Sequence, residues 1–149
     1  MADAVADSIL VRAERSVVLD VVADLAAYPQ WQEECREVQV LETDARGRDR
    51  TARFVVDARI IQVTMVLAYT YEPPDAPTAV RWTLVEGDGV RRVDGSYELE
   101  ERGGGTTAVT YRVAVEPSMS LPGFVRRRAA KLVVDRGLKG LKARVESRA

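Results

Sequence analysis

The chemistry open to this sequence is set first by what it lacks. It contains no histidine and a single cysteine, Cys35. Without histidine there is no Ser-His-Asp or Cys-His nucleophile system, no imidazole general base and no histidine metal site. One cysteine can form neither an intramolecular disulfide nor a cysteine cluster for zinc or iron–sulfur. Cys35 sits in QEECRE, where Glu33, Glu34 and Glu37 disfavour the thiolate. Proton transfer or carbonyl polarisation would therefore fall to Asp, Glu, Tyr, Lys or Arg. Tyr69, Tyr97 and Tyr111 occupy apolar positions of alternating segments, and a buried phenol needs a partner in a ligand, a water or the protein. Asp57, Arg59, Arg81, Asp94, Ser96 and Arg112 fall on the opposite phase of strand segments. They read as solvated cross-strand pairs on an outer face. No catalytic constellation, no metal and no cofactor is expected from this set.

The elements that carry these side chains follow from periodicity. Residues 4–12 form a short strand, one or two short helices cover 16–27 with Ser16 as candidate N-cap, and the chain turns at Tyr28–Gln30. The period then becomes 2. Residues 36–45, 50–60, 61–72, 78–86, 91–102 and 106–116 alternate, separated by turns around Gly47, EPPDAP, Gly87–Gly89 and Gly103–Gly105. Phe54, Val56, Ala58 and Ile60 share one face of the second of these. In the segments that follow, Ile61, Met65, Leu67, Tyr69 and Tyr71 share a face, as do Val80, Trp82 and Leu84, then Val93, Gly95, Tyr97 and Leu99, then Tyr111, Val113 and Val115. A long amphipathic helix over about residues 121–146 closes the sequence, with Ser120 as candidate N-cap and Pro122 in its first turn. Ala130, Val133, Val134, Gly137, Leu138, Leu141 and Val145 form its apolar stripe. Gly137 and Gly140 each cost about 1 kcal/mol relative to alanine in a helix, and so mark close backbone approach or room left for something else.

The sequence of 149 residues, 46% hydrophobic and 30% charged, fits one ordinary globular domain spanning 1–149. Its element order predicts an α+β fold. A seven-stranded antiparallel sheet wraps around the C-terminal helix, and short helices plug one end. A closed up-and-down barrel is the alternative and accounts less well for the helix. No apolar run approaches the roughly 18 residues of a membrane span, and MADAVADSIL is acidic where a signal peptide is basic, so a cytoplasmic protein is expected. The net charge of −1 does not suggest a specific DNA binder. The charge is nonetheless uneven. Residues 121–149 hold nine basic and two acidic groups, +7, which leaves −1 − 7 = −8 for the first 120. The basic face reads either as an ordinary solvated surface or as a contact for an anionic membrane or RNA, with Leu121 and Phe124 beside Arg126, Arg127 and Arg128.

Taken with that element order, DLAAYPQW, VDGSYELEE, TTAVTYRVAVEP and LPGFVRRRAAKLVVDRGLKGLKARVE resemble the START-like (SRPBCC) superfamily, and within it the polyketide cyclase/dehydrase-like branch. The resemblance covers nearly the whole sequence. It implies a helix-grip fold with an apolar cavity between sheet and helix, used in that superfamily for lipids, sterols, polyketides, quinones or hormones. The residues expected to line such a cavity are Trp31, Phe54, Val56, Met65, Leu67, Tyr69, Trp82, Leu84, Tyr97, Tyr111, Phe124, Val133 and Gly137, although each is also what a plain core residue looks like. Three functions follow from this reading. The first is binding or transport of a hydrophobic small molecule. The second is a polyketide cyclase/dehydratase acting on a bound poly-ketone chain. The third is an interaction module using the basic helix, as in ribosome-associated relatives.

Overall fold

In the computed structural model, which describes residues 3–57, 59 and 62–148, seven strands form one antiparallel sheet. They are β1 (Asp3–Val11), β2 (Cys35–Thr43), β3 (Asp49–Asp57), β4 (Gln62–Glu72), β5 (Ala79–Asp88), β6 (Val90–Gly103) and β7 (Thr106–Pro117). The order across the sheet is β1-β7-β6-β5-β4-β3-β2. Each strand from β2 to β7 therefore pairs with its sequence neighbour through a hairpin, and β1 pairs with the far edge, Val5 opposite Val113 and Ile9 opposite Val109. Alternating burial follows the predicted faces: Ala52 and Phe54 on β3, Val63, Leu67, Tyr69 and Tyr71 on β4, Val93, Tyr97 and Leu99 on β6 and Val109, Tyr111 and Val113 on β7 are all buried. Ala58, Ile60 and Ile61, assigned to strand faces by sequence, lie outside the described residues.

Between β1 and β2 lie α1 (Arg15–Ala23) and a 3-10 helix (Leu25–Gln30). The N-cap of α1 is Glu14 rather than Ser16, and it acts through its backbone alone: its carbonyl accepts from Val17 and Val18 at 3.1 and 3.2 Å. The C-terminal helix α2 runs Gly123–Arg148. The Pro122 carbonyl accepts from Val125 and Arg126 at 3.0 and 3.1 Å, so the helix starts three residues beyond Ser120. Proline's fixed φ favours entry at that point.

Helix α2 lies across the concave face of the sheet. Its buried residues, Val134, Gly137, Leu138, Leu141 and Val145, run from the middle of the helix into its C-terminal half. Two glycines set how closely that half approaches. A Cβ at Gly137 would stand 2.8 Å from Cε2 of Tyr111, and a Cβ at Gly140 would overlap the Trp31 carbonyl oxygen. Polar contacts tie the same half to the chain before β2 and to β1. Arg136 donates to Glu34 at 2.6 Å, Arg144 to Gln30 at 2.8 Å, and Lys142 to the Leu10 carbonyl at 3.0 Å. Gly140→Ala gains about 1 kcal/mol of helix propensity, yet it forces a methyl into a backbone carbonyl that cannot rotate away. The expected outcome is a melting temperature lowered by several degrees, since overpacking costs about 1–3 kcal/mol net. An unchanged or raised melting temperature would mean that α2 stands off the 3-10 segment.

Candidate functional site: a cavity between sheet and helix

The N-terminal half of α2 does not close on the sheet. Small side chains, Ala129, Ala130 and Val133, face it across a cavity of about 150 Å³. A void of that size is large enough for a benzene-sized guest. The sheet contributes Phe54 and Val56 from β3, Val63, Met65 and Leu67 from β4, Trp82 from β5, Val90, Val93 and Tyr97 from β6, and Tyr111, Val113, Val115 and Pro117 from β7. Tyr28, Gln32, Glu34 and Cys35 close one end. Leu121 and Arg126 stand at the other, where the β7–α2 connection passes over the sheet.

The floor is a continuous aromatic band. Phe54 stacks on Tyr69 at 6.2 Å between ring centroids, Tyr69 lies 5.4 Å from Trp82, and Trp82 lies 5.4 and 5.9 Å from Tyr97 and Tyr111. Tyr97 and Tyr111 stack at 4.5 Å. Gly95 makes this possible: it is the register partner of Trp82, and a Cβ there would overlap the indole. The indole therefore lies flat over bare backbone, a role for glycine in a strand interior.

The polar groups of the cavity are neutral or already paired. Burial holds the Tyr28, Tyr69, Tyr97 and Tyr111 phenols well above their ordinary value. Burial likewise pushes the Cys35 thiol up to about 12. The cause is desolvation rather than the neighbouring glutamates inferred from sequence. Glu34 is paired with Arg136, and Tyr28 donates to the Val22 carbonyl at 2.6 Å. The outer-face charges pair with one another, Arg36 with Asp57, Arg81 with Glu72 and Arg92 with Asp94. Two of that set differ from expectation. Ser96 is buried, flanked in register by Arg81 and Arg112, and Arg59 lies in the β3–β4 turn at φ 69° rather than on a strand.

Of the residues predicted from sequence to line a cavity, Phe54, Val56, Met65, Leu67, Tyr69, Trp82, Tyr97, Tyr111 and Val133 do so. Four lie elsewhere. Phe124 is on the first turn of α2 and points to solvent, 67% exposed. Trp31 ends the 3-10 helix, packs on Tyr28 at 4.6 Å and places its carbonyl beneath Gly140. Gly137 is taken up by its contact with Tyr111. Leu84, opposite Leu67 next to a β-bulge in the β4–β5 pair, packs half-buried against the core beside Gly87 and is not part of the cavity wall. The polar lining groups Gln32, Glu34 and Arg126 were missed, because they sit in a loop and a helix entry where no period marks a face.

This architecture, an antiparallel sheet gripping a C-terminal helix over an apolar cavity, is the START-like helix-grip fold. The chain belongs to the family described as polyketide cyclase / dehydrase and lipid transport, whose model matches residues 3–146. No curated protein sequence matches it. Among solved structures it is similar to a START superfamily protein from Mycobacterium smegmatis, with 23% identity over 98% of this chain and 99% of that one and a TM-score of 0.89. It is also similar to the Zhui aromatase/cyclase from Streptomyces sp. R1128, with 17% identity, 99% and 96% coverage and a TM-score of 0.81. A third similar structure is a STAR-related lipid transfer protein from Xanthomonas axonopodis, with 19% identity, 96% and 85% coverage and a TM-score of 0.80. Among the described residues no helix is long and apolar enough to cross a membrane.

The raised thiol and phenols fix how stability depends on alkali. In the unfolded chain Cys35 and the four tyrosines ionise near their ordinary values of 9.0 and 10.0, whereas the folded protein keeps those protons to higher pH. Above about pH 9 the unfolded state binds fewer protons, so stability falls as pH rises, by about 1.4 kcal/mol per pH unit for each group ionised only when unfolded. Thermal melts should be flat between about pH 6 and 8.5 and drop steeply above about pH 10. A melting temperature unchanged at about pH 11 would place these groups in water.

Proposed function

We propose that the protein binds and carries an uncharged or weakly polar hydrophobic small molecule in the cavity between the sheet and α2. The observation that carries this reading is the unfilled, aromatic-floored space beneath Ala129, Ala130 and Val133. Filling it removes apolar surface from water at about 25 cal/mol per Å². Burial holds the thiol and phenols lining it protonated, and Glu34 is paired with Arg136. That favours carriage over cyclase chemistry, which needs a proton shuttle. Purified from its own host and examined by native mass spectrometry, the wild-type protein should retain a small molecule. Ala130→Trp, which fills the cavity from α2, should lose it while keeping the fold. Binding of a neutral apolar probe should be constant from about pH 6 to 9. A poly-ketone turned over with a pH dependence set by one cavity residue would favour the cyclase instead.

The mouth supports a route for loading. Met119 and Phe124, 52% and 67% exposed, flank the mouth residue Leu121 in sequence, near the exposed Arg127, Arg128 and Lys131. Apolar and cationic groups side by side suit an anionic lipid surface. The protein should co-sediment with phosphatidylglycerol vesicles at low salt and be released by high salt. Phe124→Ser should weaken the association several-fold. Equal sedimentation with zwitterionic vesicles, or preferential capture by RNA, would contradict this loading route.

A further inference from the structure

Alternate turns of an antiparallel meander fall at opposite ends of the sheet. The β2–β3 and β4–β5 turns therefore lie together, at the end away from the cavity mouth. Between them is an open cleft of about 420 Å³. Arg46, Arg48 and Arg50, at alternate positions of the sequence, all line it, together with Thr43, Thr70 and Tyr71. A guanidinium carries five N–H donors in a fixed fork, and these three use few of theirs. Arg48 donates through Nη1 to the Pro74 carbonyl at 2.7 Å, and its guanidinium carbon lies 5.5 Å from the centre of the Tyr71 ring. Tyr71 is itself pinned, its hydroxyl donating to the Asp49 carbonyl at 2.5 Å. Arg46 donates through Nη2 to Asp75 at 2.6 Å, but that carboxylate is 89% exposed, and so open an ion pair contributes little. The exposed Arg50 side chain has no ion pair or hydrogen bond among the described residues.

The acidic groups nearby are committed elsewhere. Asp44, the one carboxylate lining the cleft, accepts from the backbone N–H groups of Arg46 and Arg48 at 2.8 and 3.0 Å, and so fixes the turn that presents them. Asp49 accepts from the Leu25 backbone N–H at 3.1 Å. The lining thus sets three cations against one carboxylate. Three guanidinium forks suit a group with three acceptor oxygens and two negative charges better than a carboxylate, which offers two oxygens and one charge.

We propose that the cleft between the β2–β3 and β4–β5 turns is a binding site for a phosphate monoester, held by Arg46, Arg48 and Arg50. The site is separate from the cavity and does not depend on the carrier reading. Arg48, locked on Tyr71 and Pro74, is its preorganised member. Arg50 is free to close on the ligand, and Arg46 exchanges the solvated Asp75 for it. The same three guanidiniums would hold a soluble phosphate ester or the headgroup of phosphatidic acid.

Glycerol 3-phosphate is the probe, with glycerol as its neutral control. In NMR titrations of the full-length protein at low salt, glycerol 3-phosphate should shift the backbone amides of Thr43, Arg48, Arg50, Thr70 and Tyr71 and leave those of Arg128 and Lys131 on α2 in place. Glycerol should shift neither set. Arg50→Gln should weaken binding by about tenfold, the effect of losing a charge-assisted contact. Lys139→Gln, which removes an exposed cation of α2, should change it by less than about twofold. Asp75→Asn frees Arg46 and should tighten binding by about two- to threefold. Vesicles containing phosphatidic acid separate the sources. Saturable binding of glycerol 3-phosphate in the cleft assigns a soluble ester. Capture by the vesicles alone, abolished by Arg50→Gln, assigns a lipid headgroup. Shifts confined to α2, equal losses in Arg50→Gln and Lys139→Gln, or no binding of either probe would overturn the site, as would vesicle capture alone that survives Arg50→Gln.

Discussion

Everything in this molecule depends on how α2 is held against the sheet along half of its length only. Gly137 and Gly140 let its C-terminal half approach until helix backbone meets the Tyr111 ring and the Trp31 carbonyl. Val134, Leu138, Leu141 and Val145 then fill what remains. The N-terminal half is rigidly continuous with that clamped half, but it carries only Ala129, Ala130 and Val133 over the sheet. A clamped lever with small side chains at its free end leaves a void, because a helix cannot bend to collapse onto it without disrupting its own hydrogen bonds. The two helix glycines, costly by intrinsic propensity, are where the clamp needs them.

The second consequence is a neutral interior. Burial on an aromatic floor keeps the phenols and the Cys35 thiol protonated, and the one carboxylate at the inner end is matched by Arg136 from α2. That ion pair also ties the loop before β2 to the helix, so the same contact that closes the cavity neutralises it. The cationic groups of α2 are left to the outer face and the mouth. This division explains why a chain with a net charge of −1 carries +7 over its last 29 residues without placing a free charge on the cavity floor.

Much of the fold was legible because its strands alternate cleanly. Phe54, Tyr69, Trp82, Tyr97 and Tyr111 each stand on a period-2 face, and a sheet with one buried side must turn that face inward. Legibility failed where period gave out. Leu84 keeps its predicted face opposite Leu67 but packs into the core beside the β-bulge instead of the cavity wall, and no hydropathy signal separates those two places. Phe124 precedes the point at which α2 meets the sheet, so its apolar character says nothing about burial. Gln32 and Glu34 sit in an irregular loop, where only the long-range contact with α2 decides which way they face. The glycines were readable as close approach, but the partner of each, a ring for Gly137 and a carbonyl for Gly140, is a tertiary fact. Gly95 is the opposite case: it fell on the apolar face by alternation, and only the structure shows that Trp82 occupies its missing side chain.

The central claim is that the space beneath the N-terminal half of α2 is a binding cavity and not a shallow irregularity in a filled core. Diffraction from crystals pressurised with xenon addresses it without assuming any ligand, since xenon enters dry apolar voids of this size. The account predicts a xenon peak enclosed by Phe54, Met65, Trp82, Tyr111 and Val133, with α2 unmoved. A core that takes up no xenon there, or a peak found only at the protein surface, would contradict it.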